Sequence, residues 1–166
     1  MSDVKREAAR GALRRPVPHP ALRRLEPLVG EWDMWAMDGQ AGPVRGWFDW
    51  AEGGAFLVQR TDVTATTRVP AAWEGHLPFP TVTMTGYDDS TGEFTTLYAD
   101  GRGVARVYGT AVGDGAWRMW RSAEGFHQRF SATVDALGGT ITGAWEQSAD
   151  GKDWERDFSV EYVRVR

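Results

Sequence analysis

Short stretches of β-forming residues recur along this chain, and a glycine-containing turn signal separates each stretch from the next. From Thr81 onward the turn signals come about every 10–14 residues, as in an antiparallel meander. They are Asp88 to Gly92, Asp100 to Gly103, Gly113 to Gly115, Ser122 to Gly125, Gly138-Gly139 and Asp150-Gly151. No helical pattern lies between these stretches, so parallel crossover connections are not expected.

The stretches predict about ten strands. They cover residues 31–37, 44–50, 55–63, 82–87, 93–99, 104–112, 116–121, 126–134, 140–147 and 154–165. An open sheet of this size would expose two long edges, and closure removes them. The predicted fold class is therefore all-β: a closed antiparallel up-and-down β-barrel of about ten strands.

The segment before the first strand predicts a short helix that plugs one end of the barrel. Pro20 suits the first helical position and Gly30 the stop, while Leu22, Leu25 and Val29 recur at helical spacing. Pro27 is expected to end the helix early, after about two turns over residues 20–28. Residues 1–18 are predicted to form a basic flexible arm, and residues 19–166 the barrel domain.

Composition excludes several classes of protein. The 166 residues fit one domain, and a net charge of −4 gives no reason to expect a nucleic-acid partner. The chain contains no cysteine, which excludes disulfides and a cysteine nucleophile. We expect a cytoplasmic protein, monomer or homodimer, without a membrane partner, because no apolar run spans a bilayer and no secretory signal is present.

The predicted strands carry large side chains on both faces, with arginine, glutamine and threonine among the aromatics. Such an interior suits a barrel wide enough to hold a ligand, since a solid core would be drier. The candidate ligand-binding residues are Met34, Gln59, Arg106, Tyr108, Met119, Gln128, Phe130 and Tyr162. Inward arginines would anchor a carboxylate, phenolate or carbonyl group.

One long segment, residues 64–80, interrupts the rhythm of strands and turns. It holds three prolines, and long loops of this kind tend to be functional. Its apolar and aromatic residues predict either a lid over the barrel mouth or a structural cap. The candidate lid residues are Trp73, His76, Leu77 and Phe79.

The Gly30-x-Trp32 opening after a short helix resembles the calycin group of lipocalins and fatty-acid-binding proteins. It looks most like the nitrobindin-like and bacterial lipocalin-like barrels of uncharacterised function, which implies a small molecule held inside the barrel. Nitrobindins have alternate glycines after this motif and a haem-ligating histidine near the end of the chain. Here Met34 and Ala36 stand in the glycine positions, and no histidine follows His127. No cofactor is therefore expected, with haem ligated by His127 or Tyr162 as an alternative.

The end of the chain supports two interpretations of Arg164. In lipocalins a last-strand arginine stacks over the tryptophan of the opening motif, which predicts a structural set of Gly30, Trp32 and Arg164. In fatty-acid-binding proteins an arginine and a tyrosine two residues apart hold a carboxylate. Tyr162 and Arg164 have that spacing in reversed order, so we favour the stacked arginine.

Little in the sequence points to catalysis. The three histidines lack metal-ligand spacing, so no metal is expected, and there is no nucleophile elbow or phosphate loop. His127, His76 and Asp62 are the only candidate catalytic residues, as acid or base groups. Binding of a small apolar or aromatic molecule, with or without a carboxylate, is therefore favoured. The alternatives are an isomerase- or cyclase-type barrel enzyme, a haem protein, and a tryptophan-rich outer face that serves as a dimer surface.

Overall fold

The computed structural model describes residues 15–165, so most of the predicted basic arm lies outside the described residues. Two short 3-10 helices, Pro20–Leu28 and Ala71–Trp73, accompany ten strands. The strands are β1 (Gly30–Ala36), β2 (Ala41–Ala51), β3 (Phe56–Arg68), β4 (Thr81–Asp88), β5 (Glu93–Asp100), β6 (Ala105–Gly113), β7 (Ala116–Arg121), β8 (His127–Val134), β9 (Thr140–Ser148) and β10 (Glu155–Arg164).

The ten strands form a closed antiparallel barrel, which confirms the predicted fold class. Each strand pairs with its neighbours in sequence, and β1 also pairs with β10. Trp32 stands at the closure, opposite Gly46 of β2 on one side and Arg164 of β10 on the other. Because the ladder is continuous, the sheet has no open edge.

The predicted end of β3, and with it the start of the long connection, was wrong. β3 continues to Arg68 instead of ending at residue 63, because Gly42 pairs with Arg68 beyond a register shift in the β2–β3 ladder. The Thr67 hydroxyl also donates a 2.5 Å hydrogen bond to the Pro43 carbonyl. The long connection is therefore residues 69–80. Between residues 15 and 165, no helix has both the length and the apolarity needed to cross a membrane.

The 3-10 helix Pro20–Leu28 plugs the end of the barrel beside Trp32. It includes Pro27 and ends one residue later, and Leu22, Leu25 and Leu28 are buried in the core. The indole nitrogen of Trp32, which is fully buried, donates a 2.9 Å hydrogen bond to the Leu28 carbonyl. The plug and the first strand are thus joined through one side chain.

Arg164 covers this plugged end from outside. Its guanidinium carbon lies 4.1 Å from the centre of the Trp32 ring, a cation–π contact. The same side chain donates hydrogen bonds to the carbonyls of Val29 (2.6 Å), Gly138 (2.7 Å) and Pro27 (2.9 Å). A Cβ at Gly30, where φ is +132°, would lie only 2.5 Å from the Arg164 guanidinium. Glycine at this position leaves room for the arginine.

Candidate functional site

A cavity of about 370 Å³ occupies the half of the barrel away from the plug. Ten strands enclose more space than side chains can fill, as in barrels that hold a small ligand. All eight candidate ligand-binding residues, on β1, β3, β6, β7, β8 and β10, line this cavity. Successive side chains of a strand point to opposite faces of the sheet, and these eight residues occupy positions that face the interior.

The cavity has one polar wall and one aromatic wall. The polar wall is formed mainly by β3 to β6, and it includes Gln59, Thr83, Thr96, Tyr98 and Arg106. The aromatic wall comes mainly from β7 to β10, where the rings of Trp117, Phe130 and Trp145 pack in a row with centroids 5.0 and 5.1 Å apart. A molecule with a flat apolar body and one polar edge is complementary to such a cavity.

Arg106, Tyr108 and Gln128 form a cluster that presents hydrogen-bond donors. The Gln128 Oε1 atom accepts a 3.1 Å hydrogen bond from Arg106 Nη1 and a 2.9 Å hydrogen bond from the Tyr108 hydroxyl. Burial raises the pKa of Tyr108, which therefore stays a protonated donor. Because Oε1 is already used, the Gln128 amide NH₂ and the remaining Arg106 N–H groups are the groups left for a ligand.

Arg106 is the cation of this cluster, and no carboxylate among the described residues forms a salt bridge with it. Its guanidinium carbon lies 5.1 Å from the centre of the Phe126 ring. Across residues 15–165 it takes part in no salt bridge, in contrast to Arg45, Arg102 and Arg129. A half-buried guanidinium without a salt bridge in the described chain favours an anionic or strongly accepting ligand group.

Two other charged groups near the mouth, Asp100 and Arg102, neutralise each other. Asp100 accepts hydrogen bonds from the Tyr98 hydroxyl (2.8 Å) and from Arg102 Nη2 (2.7 Å). The pKa of Asp100 lies well below its usual range, mainly because Arg102 donates hydrogen bonds to its carboxylate. Burial, followed by the hydrogen bond to Asp100, raises the pKa of Tyr98. Arg102 and Asp100 therefore form a closed pair and do not compete with Arg106 for a ligand.

Asp157 is a cavity residue that the sequence pattern missed. It lies between Arg156 and Phe158, where the β9–β10 register shifts, and it lines the cavity mouth. A β-bulge re-aims a side chain that strict alternation would direct outward, and nothing in the sequence marks the bulge. Partial burial, followed by repulsion from Glu155, raises the pKa of Asp157, while Arg106 acts in the opposite direction.

The connection between β3 and β4 lies over the mouth, and all four candidate lid residues line the cavity. Trp73 packs edge-on against Phe158, with ring centroids 5.5 Å apart. Hydrogen bonds from Gly101 and Arg102 attach the segment to the β5–β6 turn. Gly101 donates one to the Pro80 carbonyl (2.8 Å), and Arg102 donates one to the His76 carbonyl (3.4 Å).

The candidate catalytic residues are not brought together. Asp62 and His127 do not line the cavity, since their neighbours Thr61 and Gln128 take the inward positions. His76 reaches the mouth, but no hydrogen bond joins its imidazole to a carboxylate in the described part of the chain. That part also contains no group of three or more histidine, aspartate or glutamate side chains placed to hold a metal ion.

The two haem ligands that the sequence offers do not fit a haem in this cavity. His127 lies outside the cavity, and burial raises the pKa of Tyr162 to about 12, which disfavours the tyrosinate that would bind iron. Met34 and Ala36 both line the cavity, where nitrobindin-like barrels have glycines. Arg164 lies over Trp32 at the opposite end, so it does not form a carboxylate site with Tyr162 in the cavity.

The architecture is consistent with a calycin-like barrel. Among solved structures, the chain is similar to the crystal structure of Rv2717c from M. tuberculosis, with a TM-score of 0.54 and 17% identity over 90% of this chain and 100% of that one. At this identity the likeness shows the fold alone. No protein family model matches the chain, and no curated protein matches it.

Proposed function

We propose that this barrel binds a small aromatic or apolar molecule that carries a carboxylate, with Arg106 as the anchor of the carboxylate. The observation that carries the proposal is the Arg106 guanidinium in the cavity wall beside the aromatic side chains, where it forms no salt bridge with any of residues 15–165. A ligand carboxylate would supply the salt-bridge partner that Arg106 lacks among the described residues. Trp117 and Trp145 would then contact the apolar body of the ligand.

Burial of the apolar area of the ligand and its charge-assisted hydrogen bonds to Arg106 together set the expected affinity. A bicyclic aromatic ligand that loses about 150–250 Å² of exposed area gains roughly 4–6 kcal/mol at about 25 cal/mol per Å². Charge-assisted hydrogen bonds to Arg106 add about 1.5–3 kcal/mol. After the cost of immobilising the ligand, affinity in the high-micromolar to millimolar range is expected.

The arrangement supports binding more than catalysis. An enzyme of the isomerase or cyclase type requires an acid and a base within reach of the same ligand atom. The described cavity contains arginine and tyrosine, and its one histidine, His76, forms no hydrogen bond with a carboxylate. The proposal therefore assigns these side chains to ligand binding.

A matched pair of probes tests the proposal. 2-Naphthoate and 2-naphthalenemethanol share a ring system and differ in the carboxylate, so the difference in their affinities measures the anchor. Titration followed by tryptophan fluorescence, with stoichiometry from native mass spectrometry, is expected to give one bound naphthoate and at least tenfold weaker binding of the alcohol. No binding of either probe, or equal affinity for both, would overturn the proposal.

Asp157 makes the proposed binding depend on pH. Because its pKa is raised, Asp157 takes up a proton on acidification earlier than an ordinary aspartate. Protonation of Asp157 removes from the mouth a negative charge that opposes the carboxylate of the probe. We expect the affinity for ionised naphthoate to rise as the pH falls through the range in which Asp157 takes up its proton, and Asp157→Asn to remove most of this rise. An Asp153→Asn control, on the exposed β9–β10 turn, should keep it.

The proposal requires no cofactor. Titration with haemin is expected to leave the protein without a stoichiometric Soret band, because neither His127 nor Tyr162 is suited to ligate iron in the cavity. A Soret band at one haem per chain would support the haem-binding alternative instead. The same titration in the presence of naphthoate would show whether the two molecules compete for one cavity.

A further inference from the structure

The floor of the cavity is built from polar as well as apolar side chains. A second, much smaller pocket lies between the cavity and the plug helix, where it contacts Leu25 and Leu28. Gln59 and Trp117 line both spaces, so they stand at the floor of the cavity. Arg106 lines the cavity and not the smaller pocket. The floor is therefore separate from the Arg106 anchor.

One cross-strand row connects the floor with the anchor. Its successive partners, from β2 to β6, are Phe48, Gln59, Thr83, Tyr98 and Arg106. Phe48 lines only the smaller pocket and Arg106 only the cavity, so the row rises from floor to mouth. Gln59 and Arg106 are three strand spacings apart, about 14 Å along the wall. Because barrel strands tilt by about 35–45°, the row rises roughly 8–10 Å between them. This rise is comparable to the long axis of a bicyclic aromatic molecule.

The arginines and the carboxylate that line the described cavity all lie toward its mouth. They are Arg68 at the end of β3, Arg102 in the β5–β6 turn, Arg106 on β6 and Asp157 near the start of β10. At the floor, Gln59 is polar but uncharged. A buried charge needs a partner of opposite charge. The carboxylate of a ligand therefore belongs at the mouth, and the floor suits an uncharged group.

Tyr162 and Gln59 lie beside each other at the floor, although they come from β10 and β3. Tyr162 is only 6% exposed, and its ring lies 6.4 Å from the ring of Phe48, centre to centre. Burial raises the pKa of Tyr162 to about 12, and the neighbouring Gln59 amide acts in the opposite direction. The Tyr162 hydroxyl therefore keeps its proton. Gln59 donates a 3.1 Å hydrogen bond to Thr61 and accepts a 3.4 Å one from Thr83.

The hydrogen-bonding capacity left at the floor fits a hydroxyl group. An amide oxygen accepts two hydrogen bonds, and Gln59 Oε1 uses one of them on Thr83. The Tyr162 hydroxyl can donate one. The Thr96 hydroxyl, also at the floor, is already bonded to two other threonine hydroxyls (2.8 and 2.7 Å). A ligand hydroxyl can donate to Gln59 and accept from Tyr162, whereas a carboxylate can only accept.

We propose that the cavity recognises aromatic carboxylates that carry a hydroxyl group at the end opposite the carboxylate, with Gln59 and Tyr162 as the hydroxyl site. This inference rests on the proposed binding function and adds a second specificity site to the Arg106 anchor. The ring system of the ligand would span the aromatic wall from Trp117 at the floor to Trp145. Trp145 pairs with Phe158, which packs against the lid.

Three probes with one ring system test the hydroxyl site. 2-Naphthoate is the reference, 6-hydroxy-2-naphthoate adds a hydroxyl at the far end, and 2,6-naphthalenedicarboxylate adds a second carboxylate there. Chemical-shift titrations by NMR at about pH 7, where a phenol keeps its proton, give the three dissociation constants. We expect 6-hydroxy-2-naphthoate to bind about three- to tenfold more tightly than 2-naphthoate. The dicarboxylate should bind at least about tenfold more weakly, because its inner carboxylate meets no cation.

Tyr162→Phe tests the assignment of the hydroxyl site. It removes the hydroxyl and keeps the ring, so the ratio of the affinities for 6-hydroxy-2-naphthoate and 2-naphthoate should fall to about one. Gln59→Met, which replaces the amide with an apolar side chain of similar length, should lower the same ratio. Tyr87→Phe is the matched control, because Tyr87 stacks on His19 outside the cavity, with ring centroids 4.4 Å apart. It should leave the ratio unchanged. Thermal unfolding shows whether each variant is folded.

The possible results separate this inference from the proposed function. Equal affinity for 2-naphthoate and 6-hydroxy-2-naphthoate would overturn the hydroxyl site and leave the Arg106 anchor in place. A preference for the hydroxylated probe that survives in both Tyr162→Phe and Gln59→Met would do the same. If none of the three probes binds, the proposed function is overturned, and this inference with it.

Discussion

Replacing Trp32 with alanine is expected to lower the free energy of unfolding by about 3–5 kcal/mol, the usual range for a buried tryptophan. Trp32 is fully buried, and its indole nitrogen donates the hydrogen bond that fixes Leu28 of the plug. The substitution also removes the ring on which Arg164 stacks. The plug, the first strand and the last strand therefore lose their common contact.

Trp47→Ala is the matched control for this prediction. Trp47 lies on the adjacent strand β2, faces outward and is 39% exposed, so its loss should cost less than about 1 kcal/mol. Urea unfolding followed by far-ultraviolet circular dichroism measures both variants. Equal destabilisation of the two would contradict a specific structural role for Trp32.

Replacing Arg106 with methionine is expected to weaken binding of 2-naphthoate about 10- to 100-fold, and to change binding of 2-naphthalenemethanol less than about threefold. The first effect corresponds to about 1.4–2.7 kcal/mol, the range of charge-assisted hydrogen bonds. Methionine retains much of the apolar stem, so the shape of the cavity changes little. The selectivity between the two probes, more than the affinity for either one, reports the role of the guanidinium.

Arg23→Met provides the matched control for Arg106. Arg23 is exposed on the plug helix, at the end of the barrel opposite the cavity. Its replacement changes the net charge of the protein by the same amount, and it should leave the affinity of both probes unchanged. Fluorescence titration of the three proteins at one ionic strength makes the comparison. An equal loss in both variants would attribute the effect to the overall charge.

The barrel could be predicted from the sequence for a physical reason, whereas the strand pattern left open which face of each strand points inward. Side chains alternate strictly along a strand, so one buried residue fixes the facing of its neighbours. Phe130 and Gln128 on β8, and Tyr108 and Arg106 on β6, follow this rule and line the cavity. Closure also follows from the avoidance of open edges.

The remaining features depend on contacts between distant parts of the chain. The extension of β3 to Arg68 requires its pairing with Gly42 beyond a register shift, which no local pattern encodes. Asp157 reaches the cavity mouth because of a bulge in β10. The hydrogen bonds that Gln128 accepts from Arg106 and Tyr108 cross from β6 to β8. Strand register and closure together bring these groups into contact.

A crystal structure of the complex with 2-naphthoate tests the central proposal most directly. We expect the carboxylate to lie about 2.7–2.9 Å from a guanidinium nitrogen of Arg106, the distance typical of charge-assisted hydrogen bonds. The ring system should lie inside the barrel against Trp117 and Trp145. A probe bound on the outer surface, or one inside the barrel with its carboxylate directed away from Arg106, would contradict the proposal.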